Sequence, residues 1–191
     1  HIIINMHHHD SLYEKPSQQK ERFLSQWSQI ASYFKNYPDS LLFEVLNEPH
    51  GNLSASMWNE YFASALAEIR KTNPTRVVLM DVADYGGLGS LSKLALPADE
   101  FIILSPHYYN PFPFATQGAA WVPGADAWLG TRWYDTEGER QTVANEFSHA
   151  LHFSKINHVP LHVGEFGAYS KADMESRGRW TTFLSRWFEE H

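Results

Sequence analysis

The chain contains no cysteine, which excludes disulfides, thiolate nucleophiles and Cys-ligated zinc. It also lacks any apolar run near the roughly 20 residues that a membrane-spanning helix needs. Its longest apolar runs, such as Ile2-Ile3-Ile4, have the size of strands. Positive charge is scarce: 15 Lys and Arg stand against 22 Asp and Glu, for a formal net charge of -7. Bulk electrostatics therefore predict neither a nucleic-acid partner nor an anionic membrane. There is no repeat, no low-complexity tract and no Pro/Ser-rich linker. The Gly-rich phosphate turn of dinucleotide-binding sheets is missing after the first apolar run, where the sequence reads NMHHHD. The first residue is His1 and no leader precedes the first apolar strand, so a processed or truncated piece is expected.

What is present is α/β grammar. The 191 residues, 43% hydrophobic and 15% aromatic, suffice for one well-filled core and are too few for two ordinary domains. Short, nearly uniform apolar runs at 2–6, 41–46, 76–82, 101–105 and 161–163 predict parallel strands covered on both faces. Amphipathic helices are predicted between and after them. The stretch 17–37 aligns Phe23, Trp27, Ile30, Ala31 and Phe34 and stops at Pro38. A second helix starts at Ser56 as N-cap, carries Trp58, Phe62, Ala65, Leu66 and Ile69, and ends before Asn73-Pro74. Helices over 137–156 and 173–190 complete the set, the last with Trp180, Phe183, Leu184 and Trp187 facing inward. Five strands cannot close a (β/α)8 barrel, which needs eight strands and about 250 residues, and the phosphate loop of an open doubly wound sheet is absent. The expected fold is therefore a segment of a (β/α)8 TIM barrel.

In a parallel barrel the carboxyl ends of the strands form the active face. Two strand ends carry a carboxylate there. LLFEVLNEPHG runs an apolar strand into Asn47, Glu48 and Pro49, and LHVGEFGAYS leads into Glu165 between Gly164 and Gly167. At roughly 40 residues per βα unit the two glutamates fall about three strands apart in a ring of eight, facing each other. Glycosidic-bond cleavage needs such a pair, one group to protonate the leaving oxygen and one to attack or stabilise the oxocarbenium-like centre. The alternative for each glutamate alone is an ion pair or a helix cap. A third strand end, LSPHYYNPFPF, offers His107, Tyr108 and Tyr109 as donors to a carboxylate or to sugar hydroxyls; Tyr108 can equally be a packed ring with a satisfied hydroxyl. Trp121, Trp128 and Trp133 lie in a Gly/Pro-containing loop, where they either stack on pyranose rings or pack the loop itself.

His7, His8 and His9 follow the first strand. Adjacent side chains in extended backbone alternate, so three consecutive imidazoles cannot meet one ion, and no metal site is expected. The segment 81–89, with Asp81 and Asp84, lacks the spacing of a calcium loop and reads as an ordinary strand-to-helix connection.

Together INMHHHD, LLFEVLNEPHG, LSPHYYNPFPF and LHVGEFGAYS resemble glycoside hydrolase family 5, in its endoglucanase (cellulase) branch, matching that family's third, fourth, sixth and seventh strands across nearly the whole chain. The resemblance implies a (β/α)8 barrel covering strands three to seven with the following helices, a single catalytic domain over 1–191 that is incomplete at both ends. It implies retaining hydrolysis of internal β-1,4-glucan bonds without a cofactor. Glu48 would be the acid/base and Glu165 the nucleophile, with Asn47 on the sugar 2-hydroxyl, His107 and Tyr109 beside the nucleophile, and His7 and His8 in the glycone region. Trp121 joins them as a candidate stacking residue. A departure occurs at Thr116, where the family has a histidine in the substrate cleft, and the family's first, second and eighth strands have no counterpart. An isolated segment with two open sheet edges is expected to turn over weakly or not at all. The expected partner is a β-glucan polysaccharide or oligosaccharide, the expected state a monomer, and the expected location outside the cell, where polymeric glucan is. The alternatives are a β-mannanase or mixed-linkage glucanase of the same family, an inactive carbohydrate-binding barrel fragment, and a metal-dependent hydrolase built on the three histidines.

Overall fold

The computed structural model describes every residue from His1 to His191. The chain forms two compact units, His1–Pro106 with Phe153–His162, and His107–His152 with Val163–His191.

The first unit is organised by a parallel sheet of four strands, β1 (Ile2–Asn5), β2 (Leu41–Glu44), β3 (Val78–Asp81) and β4 (Ile102–Ser105), in that order. Its helices are α1 (Asp10–Glu14), α2 (Pro16–Phe34) and α3 (Ala55–Arg70). Phe23, Trp27 and Ala31 of α2 and Trp58, Phe62, Ala65, Leu66 and Ile69 of α3 are buried, as the apolar stripes predict, whereas Ile30 and Phe34 are only half-buried. Trp27 packs on Phe43 with ring centroids 5.6 Å apart, and its indole N–H donates to the Val45 carbonyl at 2.8 Å. The indole of Trp58 donates to the Asp81 carbonyl at 2.8 Å. Each indole thus fills the core and also satisfies a carbonyl just past a strand.

Several elements differ from the sequence reading. The N-cap of α3 is Ser54 rather than Ser56: its extended backbone and a 3.3 Å bond from the Met57 N–H to its hydroxyl start the helix one turn-fraction earlier. β3 begins at Val78, because Arg76 is drawn away from the ladder. Its guanidinium, 4% exposed, donates to the carbonyls of Phe34, Tyr37, Pro38 and Leu41 and lies over the Phe43 ring. A cation there both pairs the orphan carbonyls that follow α2 and answers the negative end of its dipole. β1 is not covered on both faces: it lies at the edge of the sheet, and Ile2 and Ile3 are exposed. The run 161–163 contributes only a bridge between Leu161 and Leu104 to this sheet. Pro106, with no N–H to donate, interrupts the ladder after β4.

In the second unit, pairing resumes as a short parallel ladder between β5 (His107–Tyr108) and β6 (Glu165–Phe166), with His107 opposite Glu165. Three helices accompany it: the short α4 (Phe112–Ala115), which the sequence reading missed, α5 (Glu137–Asn157, within this unit as far as His152), and α6 (Met174–Glu190). Asp173 caps α6 by accepting from the Ser176 N–H at 3.0 Å. Trp180 of α6 stacks on Tyr108, meets Phe114 and Phe166, and donates to the Asn110 carbonyl at 3.1 Å. Trp133 is buried against Phe183, so this loop tryptophan is core. Gln117 staples the intervening loop, donating to the carbonyls of Phe114 and Thr131 and accepting from the Gly130 N–H.

Arg76→Met removes the charge-assisted bonds to these four carbonyls and the longer ones to Asn73 Oδ1 while keeping the apolar stem, and should cost about 3 kcal/mol, or roughly 10 °C in Tm at this chain length; calorimetry checks it. Asp99 takes a paired hydrogen bond from the Arg70 guanidinium at 2.7 and 2.9 Å, which holds its carboxyl below the usual carboxylate range. That contribution is present above the unfolded carboxylate pKa of about 3.9 and is lost as pH falls through the lowered folded value. The stability difference between Asp99→Asn and the parent should therefore be constant near neutrality and shrink below about pH 4 in acid-titrated denaturant melts.

Candidate functional site

In the first unit the chain leaves β2 through buried Val45 and Leu46 and reaches Asn47 and Glu48. The Asn47 N–H still donates to the Met6 carbonyl at 3.1 Å. Glu48 then turns into the left-handed region with φ +45°. A side chain with a Cβ adopts that conformation at a cost of about 1–2 kcal/mol, and keeps it only when its surroundings compel it. Here they do. The Glu48 N–H donates to Asp81 Oδ2 at 2.6 Å, its carbonyl accepts from His50 Nδ1 at 2.5 Å, and the preceding Asn47 carbonyl accepts from the Tyr13 hydroxyl at 2.6 Å. The His50 ring lies between Tyr13 and Tyr85, with centroids 4.1 Å from each. Burial, and then the charges of Asp81, Glu48 and Asp10, push the Tyr13 hydroxyl pKa well above its ordinary value, so it remains a neutral donor.

Beneath lies a buried polar layer. Glu44 accepts from the Ser105 hydroxyl at 2.9 Å and from the Asn5 amide. Asn47 Oδ1 is buried and has no hydrogen-bond partner within the protein. An acceptor in that state is costly in a resting fold and suited to a ligand hydroxyl. His7 and His8 are exposed after β1, their rings 4.6 Å apart, whereas His9 is buried and engaged with Gln26 at 3.2 Å and Ser11 at 3.4 Å. His9 is therefore turned inward, away from the adjacent rings of His7 and His8.

In the second unit the β5–β6 register sets the other carboxylate. The Tyr109 hydroxyl donates to Glu165 Oε2 at 2.8 Å, and buried His107 brings Nδ1 within 3.6 Å of the same oxygen. Strand alternation sends Tyr108 the opposite way: its hydroxyl donates to Glu146 Oε2 at 2.6 Å, and burial followed by that carboxylate raises its pKa. Asn110 donates to the same Glu146 oxygen at 3.2 Å. Tyr108 is thus the packed, satisfied residue, and His107 and Tyr109 belong with Glu165. Trp121 is 68% exposed and meets the Tyr169 ring edge-on at 4.9 Å. Thr116 is buried and turns its hydroxyl to the Phe112 carbonyl at 2.6 Å.

Asn47 and Glu48 are therefore side by side in the first unit with His7 and His8 after the neighbouring strand, while His107, Tyr109 and Glu165 are grouped in the second, where Trp121 pairs with Tyr169 instead. The sequence reading missed Asp81, His50 and Tyr13. Asp81 carried a usable signal, since VVLMD ends an apolar strand in a carboxylate just as LLFEVLNE does.

The chain is similar to several known proteins. Residues 1–187 match the family described as Cellulase (glycosyl hydrolase family 5). Endoglucanase H of Acetivibrio thermocellus is 36% identical over 96% of this chain, which spans 19% of that protein. Cellodextrinase A of Ruminococcus flavefaciens is 26% identical over 90% of the chain, which spans 51% of it. Among solved structures, the endoglucanase Cel5A of Thermotoga maritima superimposes with a TM-score of 0.96 at 44% identity, covering 98% of this chain and 61% of that one. The cellulose synthase subunit Z of Clostridioides difficile gives 0.95 at 32% identity, covering 98% and 62%. The chain thus spans less than two thirds of each of these proteins. The parallel strands, their intervening helices and this similarity make the fold a segment of a (β/α)8 barrel. With a match running over all but its last few residues, the chain belongs to the cellulase family of glycosyl hydrolases, family 5.

Proposed function

We propose that the chain carries the catalytic pair of a retaining endo-β-1,4-glucanase, with Glu165 as nucleophile and Glu48 as acid/base. The observation that carries this reading is the β5–β6 register, which sets His107 opposite Glu165 and puts the Tyr109 hydroxyl on its carboxylate. Both approaches are to Oε2, so Oε1 is the atom that attacks the anomeric carbon. As that bond forms, Glu48 gives its proton to the departing glycosidic oxygen. Glu48, now a carboxylate, then takes a proton from water, which attacks the glycosyl-enzyme from the side the leaving group vacated and restores the configuration. The reading requires the two carboxyl groups to flank one glycosidic bond about 5 Å apart.

The remaining residues serve binding. The unpartnered Oδ1 of Asn47 accepts the sugar 2-hydroxyl, His7 and His8 contact the glycone sugars, and exposed Trp121 offers a stacking face. The substrate is a β-glucan polymer or oligomer, and the reaction needs no cofactor. The 1–191 stretch belongs to a single catalytic domain, acting as a monomer outside the cell where the polymer is found. A second reading, β-mannan as a substrate, is favoured by one observation: Thermotoga maritima Cel5A has been solved in complex with mannotriose as well as with cellobiose.

Glu165→Gln and Glu48→Gln should each lower kcat on carboxymethylcellulose by about 10³-fold or more. Azide should restore turnover to Glu165→Ala with an inverted glycosyl azide, and to Glu48→Ala with a retained one; exchanged stereochemistry would exchange the two roles. Parallel rates on carboxymethylcellulose, lichenan and mannan separate the glucanase from the mannanase. Absence of turnover in the parent, with glucan binding unchanged by either glutamate substitution, would leave a carbohydrate-binding fragment in its place.

A further inference from the structure

We infer that Asp81 is a positioning residue for the general acid, holding the Glu48 peptide in its left-handed conformation so that the carboxyl is aimed at the leaving oxygen. This rests on the assignment of Glu48 as acid/base. Asp81 is fully buried at the end of β3, in a site where a carboxylate is retained only if its oxygens are satisfied. Two of its bonds go to main-chain N–H groups: Oδ2 accepts from Glu48 at 2.6 Å and Oδ1 from Val82 at 2.7 Å. Its own carbonyl is fixed by the Trp58 indole at 2.8 Å, so the carboxylate is mounted on the sheet and not on a mobile loop.

The Glu48 side chain leaves the backbone at φ +45°. An ordinary extended or helical φ would swing its Cα–Cβ bond elsewhere, and the ordinary conformations are the favoured ones for glutamate. Three partners hold the peptides flanking the residue: His50 on its carbonyl, Tyr13 on the preceding carbonyl, and Asp81 on its N–H. Of these only Asp81 comes from a sheet strand, and only Asp81 bonds the N–H, whose orientation sets φ. A carboxylate can accept from both N–H groups at once, whereas asparagine would turn an NH2 toward one of them. The functional requirement is thus for an aspartate and not only for a polar residue of that size.

A general acid that is misaimed loses proton donation and leaves nucleophilic attack intact, so the defect should depend on the leaving group. The experiment measures kcat/KM on cellotetraose, whose leaving sugar needs a proton, and on 2,4-dinitrophenyl β-cellobioside, whose phenolate does not. The protein is used as its gene encodes it. Asp81→Ala should lower kcat/KM on cellotetraose about 100-fold and on the dinitrophenyl glycoside by less than about threefold. If the alanine variant unfolds, Asp81→Asn, which keeps the shape and one acceptor, carries the test, with about a tenfold loss confined to cellotetraose. Equal losses on both substrates, or no loss on either, overturn the proposal. Glu48→Ala is the control: if it lacks the same leaving-group dependence, the acid/base assignment itself falls; if it has it and the Asp81 variants do not, only the role of Asp81 falls.

Discussion

The conformation of one peptide governs the first half of the site. β2 ends inside the protein, and past the Asn47 N–H the chain turns away from its neighbouring strands, yet its N–H and C=O groups there are too buried to be left to water. The fold meets this with side chains: Tyr13, His50 and Asp81 each take one main-chain group around Asn47 and Glu48. Because those partners stand at fixed places on α1, on the loop after β2 and on β3, satisfying the backbone also compels the left-handed turn. A local need for hydrogen bonds becomes the aiming of a functional carboxylate.

The second unit reaches a similar result by a different route. There the carboxylate is set by strand register, and the pleat does the sorting. His107 and Tyr109 fall on the side of Glu165, while Tyr108 between them is pulled into the aromatic packing of Phe147 and Trp180 and tied to Glu146. A slip of one residue in that short ladder would exchange the two sets. The stacked and tilted rings around Trp180 are what resist such a slip, so the apolar packing of α6 and the polar geometry at Glu165 are one structural fact.

Buried charge in the first unit follows the same logic. Arg76 and Asp81 are both nearly or fully inaccessible, and in each case the side chain is taken up by main-chain atoms: four carbonyls for the guanidinium, two N–H groups for the carboxylate. Each converts an irregular stretch of backbone into a rigid one. Arg76 does so below β2 and β3, at the end away from Glu48, and Asp81 at the end where Glu48 turns.

Much of this was legible in the sequence, and the reason is periodicity. Apolar runs of strand length and aromatic stripes at helical spacing respond to burial alone, so β1 to β4, α2, α3, α5 and α6 could be placed from the order of residues, along with the glutamates at two strand ends. What tertiary structure decided was every feature that depends on a partner distant in the chain. Arg76 left β3 because carbonyls after α2 lay within reach; Leu161 and Glu165 were divided between two ladders because Pro106 interrupts the neighbouring strand; Trp133 became core while Trp121 stayed exposed. Asp81 looked like the start of a loop, since nothing in VVLMDVAD tells where its two oxygens will point. Hydrophobic pattern is a property of one segment, but the direction of a hydrogen bond belongs to two, and only folding brings the second one into place.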